Sequence, residues 1–146
     1  MVRHAVYPNA PMNVSFALLA DYTTTSKEDK FSVIGIYDRI GARTFPARHP
    51  QLQLAIRILT TRADVGHQRQ IMVDLVNSEG KTLQKAEGTI GIPKDVDRPP
   101  TMNLVMVFEN TVFEEAGPYQ FNVFIDGRQE AEVPLTLEHM PEPQKA

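Results

Sequence analysis

Apolar side chains return at every second position along most of this chain, the period of an extended strand with one face in a core. The alternation is sharpest in two places. Leu52, Leu54, Ile56 and Ile58 alternate with Gln51, Gln53, Ala55 and Arg57, which predicts a strand buried on one side. Tyr119, Phe121, Val123 and Ile125 alternate with Gln120, Asn122 and Asp126, and only Phe124 breaks the polar side. Asn13 to Tyr22 is apolar on both faces and is expected to be a central strand. Further strands are predicted over Phe31 to Ile40, His67 to Asn77, Lys81 to Ile92, and from Met102 through Phe108. Gly41 is expected to bend the first of these, Phe31 to Ile40, which then resumes over Ala42 to Phe45. Pro46 and Pro50 bracket an expected loop with Arg48 and His49. No run has the helical period. Roughly seven to nine strands and no helix predict an all-β fold, an antiparallel two-sheet β-sandwich of immunoglobulin-like type.

The turns refine this. Asp126-Gly127 signals a hairpin. A loop of those two residues alone would set Tyr119, Phe121 and Val123 against Pro134, Glu132 and Glu130, whereas the apolar residues of the return strand are Ala131, Val133, Leu135 and Leu137. A three-residue loop, Ile125-Asp126-Gly127, restores the match and predicts Phe121 opposite Ala131 and Tyr119 opposite Val133. Ser78-Glu79-Gly80 predicts a second such turn, with Leu75 opposite Leu83. Glu115-Ala-Gly-Pro-Tyr119 has the spacing of a tyrosine corner, in which the phenol bonds back to the turn before it. Phe121 stands where an antibody domain has its cysteine, so apolar packing takes over from a disulfide. Lys81 to Ile92 is weakly apolar, contains Gly88 and Gly91, and is expected to be a bent or edge strand.

Phe16-Ala-Leu-Leu-Ala-Asp-Tyr22 followed by Lys30-Phe-Ser-Val-Ile-Gly-Ile-Tyr-Asp-Arg-Ile40 resembles the opening of an uncharacterised bacterial family of small sandwich domains. Val76-Asn-Ser-Glu-Gly-Lys81 and Gly117-Pro-Tyr119 to Asp126-Gly127 fit the same pattern, so the resemblance covers nearly the whole chain. It is most specific at Ile34-Gly-Ile-Tyr-Asp-Arg-Ile40. The resemblance implies the sandwich fold and supplies no activity, cofactor or catalytic residue.

At 146 residues the chain suits one domain. That domain is expected over residues 13–140, between a flexible leader, 1–12, and a mobile tail, 141–146. Arg3 and His4 precede the apolar run Val14 to Ala20, but Pro8, Asn9 and Pro11 intervene, unlike a secretory signal. The absence of cysteine removes disulfides, thiolate nucleophiles and cysteine zinc sites together. A cytoplasmic location is expected. A net charge of −3 without a basic run argues against nucleic acid as a partner. No apolar segment has membrane-spanning length.

Candidate chemistry is sparse. His4, His49, His67 and His139 are scattered, and zinc needs three or four converging ligands. Asp95 and Asp97 fall short of the oxygens calcium takes and are flanked by Lys94 and Arg98. Ser15, Ser26, Ser32 and Ser78 lack the glycine-flanked elbow of a serine nucleophile, and no phosphate-cradling glycine loop is present. Tyr7, Tyr22 and Tyr37 stay open as a sugar-stacking platform. No cofactor is therefore expected.

Asp38-Arg39 stands out. Alternation places Asp38 on the face of Ile34, Ile36 and Ile40, and a carboxylate turned inward there would need hydrogen bonds or a cation such as Arg43 or Arg57. Two readings stay open: a partner-contact patch of Asp38, Arg39, Arg43 and Arg48, or a structural ion pair. The expected function is a non-enzymatic binding or assembly module with a protein partner. Self-association through an edge strand, with Lys81 to Ile92 as the candidate edge, is one version. The alternatives are a structural component of a multi-subunit particle and a hydrolase with a loop-built carboxylate site.

Overall fold

A computed structural model describes residues 11–141. Most of the expected leader and all but Pro141 of the expected tail lie outside the described residues. Nine strands form the fold: β1 (Asn13–Thr25), β2 (Phe31–Ile36), β3 (Arg39–Ala42), β4 (Ala47–Leu59), β5 (Gln68–Asn77), β6 (Thr82–Gly91), β7 (Thr101–Phe113), β8 (Gly117–Ile125) and β9 (Arg128–His139). They make a four-stranded sheet in the order β2-β1-β4-β7, facing a five-stranded sheet in the order β3-β9-β8-β5-β6. Every pair is antiparallel except β3 with β9. Among the described residues no helix is long and apolar enough to cross a membrane.

The predicted alternation is the core. Leu52, Leu54, Ile56 and Ile58 of β4 meet Val73 and Leu75 of β5 and Phe121, Val123 and Ile125 of β8, all without exposure. Burying side chains of this size contributes about 1.5–3 kcal/mol each. The ring of Phe121, in place of the cysteine, packs edge-on against Phe108 at 5.2 Å. The expected leader is shorter at its inner end, because Met12 is fully buried.

Both hairpin registers differ from expectation. Asp126 (φ 48°) and Gly127 (φ 80°) are both left-handed, the signature of a two-residue type I′ turn, and Ile125 faces Arg128. A bulge then adds one residue on β9 between the partners of Val123 and Phe124, so Phe121 faces Val133 and Tyr119 faces Leu135. The bulge restores the apolar match that the three-residue loop was invoked to explain. At the second hairpin the turn is as expected, with Asn77 N–H bonded to the Lys81 carbonyl and Gly80 at φ 81°. A bulge beyond Val76 then sets Leu75 opposite Gln84, not Leu83.

The largest departure is the path of residues 20–42. The second predicted strand does not run through to Ile40: Gly35 (φ 73°) turns within β2, and Tyr37-Asp38 carries the chain into the other sheet, where β3 lies beside β9. Gly41 sits inside β3. Beyond Ala20, β1 leaves β4 and curls with β2 over the outer face of its own sheet. Three contacts establish this. Phe31 faces Thr25, which straight strand would place about 30 Å from Phe16, yet the Phe16 and Phe31 rings stack at 6.2 Å. Thr23 reaches Gln53 at 3.4 Å, and the Asp29 carbonyl accepts from Asn103 at 3.4 Å. This flap explains why Ala55, on the outer face of β4, is fully buried.

Candidate functional site

Of the sequence-predicted patch, Asp38 and Arg39 are the two members in contact among the described residues. Asp38 and Arg39 sit where the chain changes sheets, and their side chains are 73% and 69% exposed. Arg39 lies 3.8 Å from Asp38 and donates to Glu138 at 2.9 Å, both on the surface. Asp38 is therefore not inward-facing, and neither are its expected companions Ile34 and Ile36, which lie on the solvent side of the flap with Tyr22. The reason is the flap itself, which turns over the alternation read as a core face. Arg43 lies just past the end of β3, about 13 Å from Arg39 along extended chain. Arg48 is not in a loop; it is a residue of β4 facing Val112. Among the described residues neither Arg43 nor Arg48 has an ion-pair partner. Arg57 bonds Asn103 at 2.9 Å.

The buried charge is Asp64, which the pattern of Arg62 to Gly66 as a plain turn did not reveal. Asp64 closes a 3-10 turn (Arg62–Asp64) and has no exposure. Its Oδ2 accepts from Thr61 N–H at 2.7 Å, and its Oδ1 accepts from Met12 N–H at 3.1 Å and Arg69 Nε at 3.0 Å. Arg69 also donates to the Ala63 carbonyl at 3.1 Å and reaches Asp126 of the closing turn at 3.6 Å. One carboxylate thus ties together the incoming chain, the 3-10 turn, β5 and the β8–β9 hairpin. The available signal was Thr61-x-x-Asp64, the spacing of a capping box.

The histidines stay apart, and among the described residues no three acidic or histidine side chains could hold a metal ion. His4 lies outside the described residues. The nearest approach to a titratable cluster is at the bend of the flap. There Asp21 packs against Gly35, whose missing Cβ would lie 2.5 Å from the carboxylate. Burial raises the Tyr37 phenol pKa, and Asp21 adds to that. Burial lowers the His49 imidazole, against a bond with the Gln51 backbone and the Asp21 charge, which both favour the cation. Tyr119 O–H donates to the Glu115 carbonyl at 2.7 Å, which completes the tyrosine corner.

What distinguishes the surface is one sheet edge. Unpaired edges invite foreign strands, and folds guard them with brevity, charge, proline or bulges. Of the four edges, β3 has four residues and β2 has six, with a left-handed glycine inside. β6, the edge favoured by the sequence, carries Lys85 and Glu87. β7 has none of these guards between Thr101 and Phe108. Twelve of its 13 residues, all but Asn110, pair with β4 in one register without a bulge, and Thr101 to Phe108 contains no charge, proline or glycine. Val105 and Val107 are 38% and 44% exposed on its outer face, while Met102, Leu104 and Met106 are only partly covered on its inner face.

The outward backbone groups of β7 can be assigned. The Leu19 carbonyl accepts from Tyr37 N–H, on the side away from β4, so Leu18 and Ala20 are the residues bonded to β4. Carrying that alternation across β4 bonds Leu54 and Ile56 to Met106 and Leu104. Asn103, Val105 and Val107 therefore present their N–H and C=O groups to the open side. Gln84 agrees with this, reaching from β6 to cap the Glu109 carbonyl, of the same parity, at 2.9 Å.

Two layers, Greek-key-like strand exchange and the tyrosine corner define an immunoglobulin-like β-sandwich. Within that class the chain belongs to DUF6941, a family of unknown function whose model matches residues 15–138. It is similar to an immunoglobulin-like protein from Pseudomonas aeruginosa, at 16% identity over 89% of this chain and 98% of that one, with a TM-score of 0.46. It is also similar to part of the Pseudomonas fluorescens alkylpurine DNA glycosylase AlkC, whose structure is bound to DNA containing an abasic site analog. That likeness has 10% identity over 88% of this chain and a TM-score of 0.52. This chain spans 31% of the glycosylase's length, and at such identity the likeness shows the fold alone. No curated protein matches the chain.

Proposed function

We propose that this protein is a non-enzymatic protein-binding module that takes up an extended strand along the free edge of β7. The unguarded stretch Thr101 to Phe108 carries the reading, because its outward peptide groups and its apolar side chains on both faces suit strand addition. This replaces the Lys81 to Ile92 edge, whose charges blunt pairing. An uncharged edge on a chain of net charge −3 favours protein over nucleic acid as the partner. The absence of cysteine suits a reducing, cytoplasmic setting.

The test is affinity purification from the native host with the natural chain and with Val107→Lys. The natural chain should retain a protein partner, its own copies included, that Val107→Lys loses while melting at the same temperature. Equal retention by both would remove β7 from the function.

A further inference from the structure

We propose that two copies of this chain join β7 to β7, antiparallel, about a two-fold axis through Val105. This rests on β7 being the working edge and names its occupant as a second copy. In such a pairing inner-face residues must meet inner-face residues, or one core face would turn outward. An axis at Val105 satisfies that: Met102 faces the partner's Phe108, Leu104 faces the partner's Met106, and Val105 faces itself. The half-covered inner side chains of both copies then close over one another, and two four-stranded sheets become one of eight.

The backbone supports the same axis. Val105 presents both its peptide groups outward, so it can exchange both bonds with its own copy. Asn103 and Val107 do so reciprocally on either side. Charge selects the direction. Glu109 is the first charged residue of β7, and its carbonyl is already held by Gln84. The antiparallel arrangement sets Glu109 opposite Thr101, in a mixed corner holding Arg57 and Arg98 beside Glu28 and Asp29. A parallel arrangement would run Glu109 alongside Glu109. The chain is thus self-complementary in one direction and one register, as a closed two-fold contact requires.

Three variants test this by light scattering and non-reducing gels. The natural chain should run at twice its 16.4 kDa mass at high concentration. Val105→Pro removes an outward N–H and leaves the β4 ladder intact, so it should halve the mass while keeping the strand-type circular dichroism. Val105→Cys supplies the sole thiol. In a directly opposed pair the Cα atoms lie about 5.5 Å apart, within disulfide range. Added diamide should therefore take up the two electrons and two protons and leave a covalent dimer. Val107→Cys should not cross-link, since the two copies of that position lie about 13 Å apart along the strands. A concentration-independent monomer, or equal cross-linking at both positions, overturns the proposal. If the monomer still binds a host protein that Val105→Pro loses, the edge keeps its function with a foreign strand. If a dimer forms and Val105→Pro leaves it intact, β7 is not the contact.

Discussion

Asp38 and Asp64 are both aspartates beside an arginine in a chain of alternating apolar residues, and they end in opposite environments. Asp38 lies in a stretch that reads as a core face, yet its carboxylate projects into water and pairs with a surface arginine. Asp64 lies in what reads as a plain polar turn, yet it is sealed from solvent and bonded to four groups: Met12, Thr61, Arg69 and the Thr61 hydroxyl at 3.3 Å. Apolar neighbours in sequence do not decide the burial of a charge. What decides it is whether donors converge, and at Asp64 two backbone N–H groups and a guanidinium converge from three parts of the chain.

Removing each aspartate should break this comparison apart. Asp64→Ala leaves two buried N–H groups unpaired and takes from Arg69 its nearest carboxylate, though Arg69 keeps the Ala63 carbonyl and Asp126, and should lower stability by about 3 kcal/mol in urea unfolding. A loss near zero would mean the corner is hydrated. Tyr119→Phe removes a single partly buried bond at the other end of the sandwich, and should cost about 1 kcal/mol in the same assay. An unchanged midpoint there would argue that water replaces the phenol without loss. Asp38→Asn should shift stability by no more than about 0.5 kcal/mol, as for other exposed pairs. A larger loss would show that the sheet crossing leans on that charge.

The layered fold was legible because its signal is local and repeated. Leu52 to Ile58 and Tyr119 to Ile125 show their burial in their own alternation, and Glu115 to Tyr119 shows the corner in its spacing. Pairing was harder, since the bulges opposite Val123 and Leu75 shift register without leaving a mark in composition. The flap was not legible at all. Ile34 and Ile36 look like core in sequence, and only the curl after Ala20, held by Phe16 against Phe31, turns them outward. The proposed edge was hard to read for a similar reason. Lys81 to Ile92 reads as an edge and is one, but it carries Lys85 and Glu87, whereas nothing in the pattern of Met102 to Phe108 shows that this strand also has one open side.

The crossing at Tyr37-Asp38 has a mechanical consequence. Residues 31–42 belong to both layers, pairing with β1 in one and β9 in the other. Neither layer can peel away without tugging the other through a two-residue bridge. The two sheets are thus coupled through this short stretch of main chain as well as through their shared core, which favours their unfolding together.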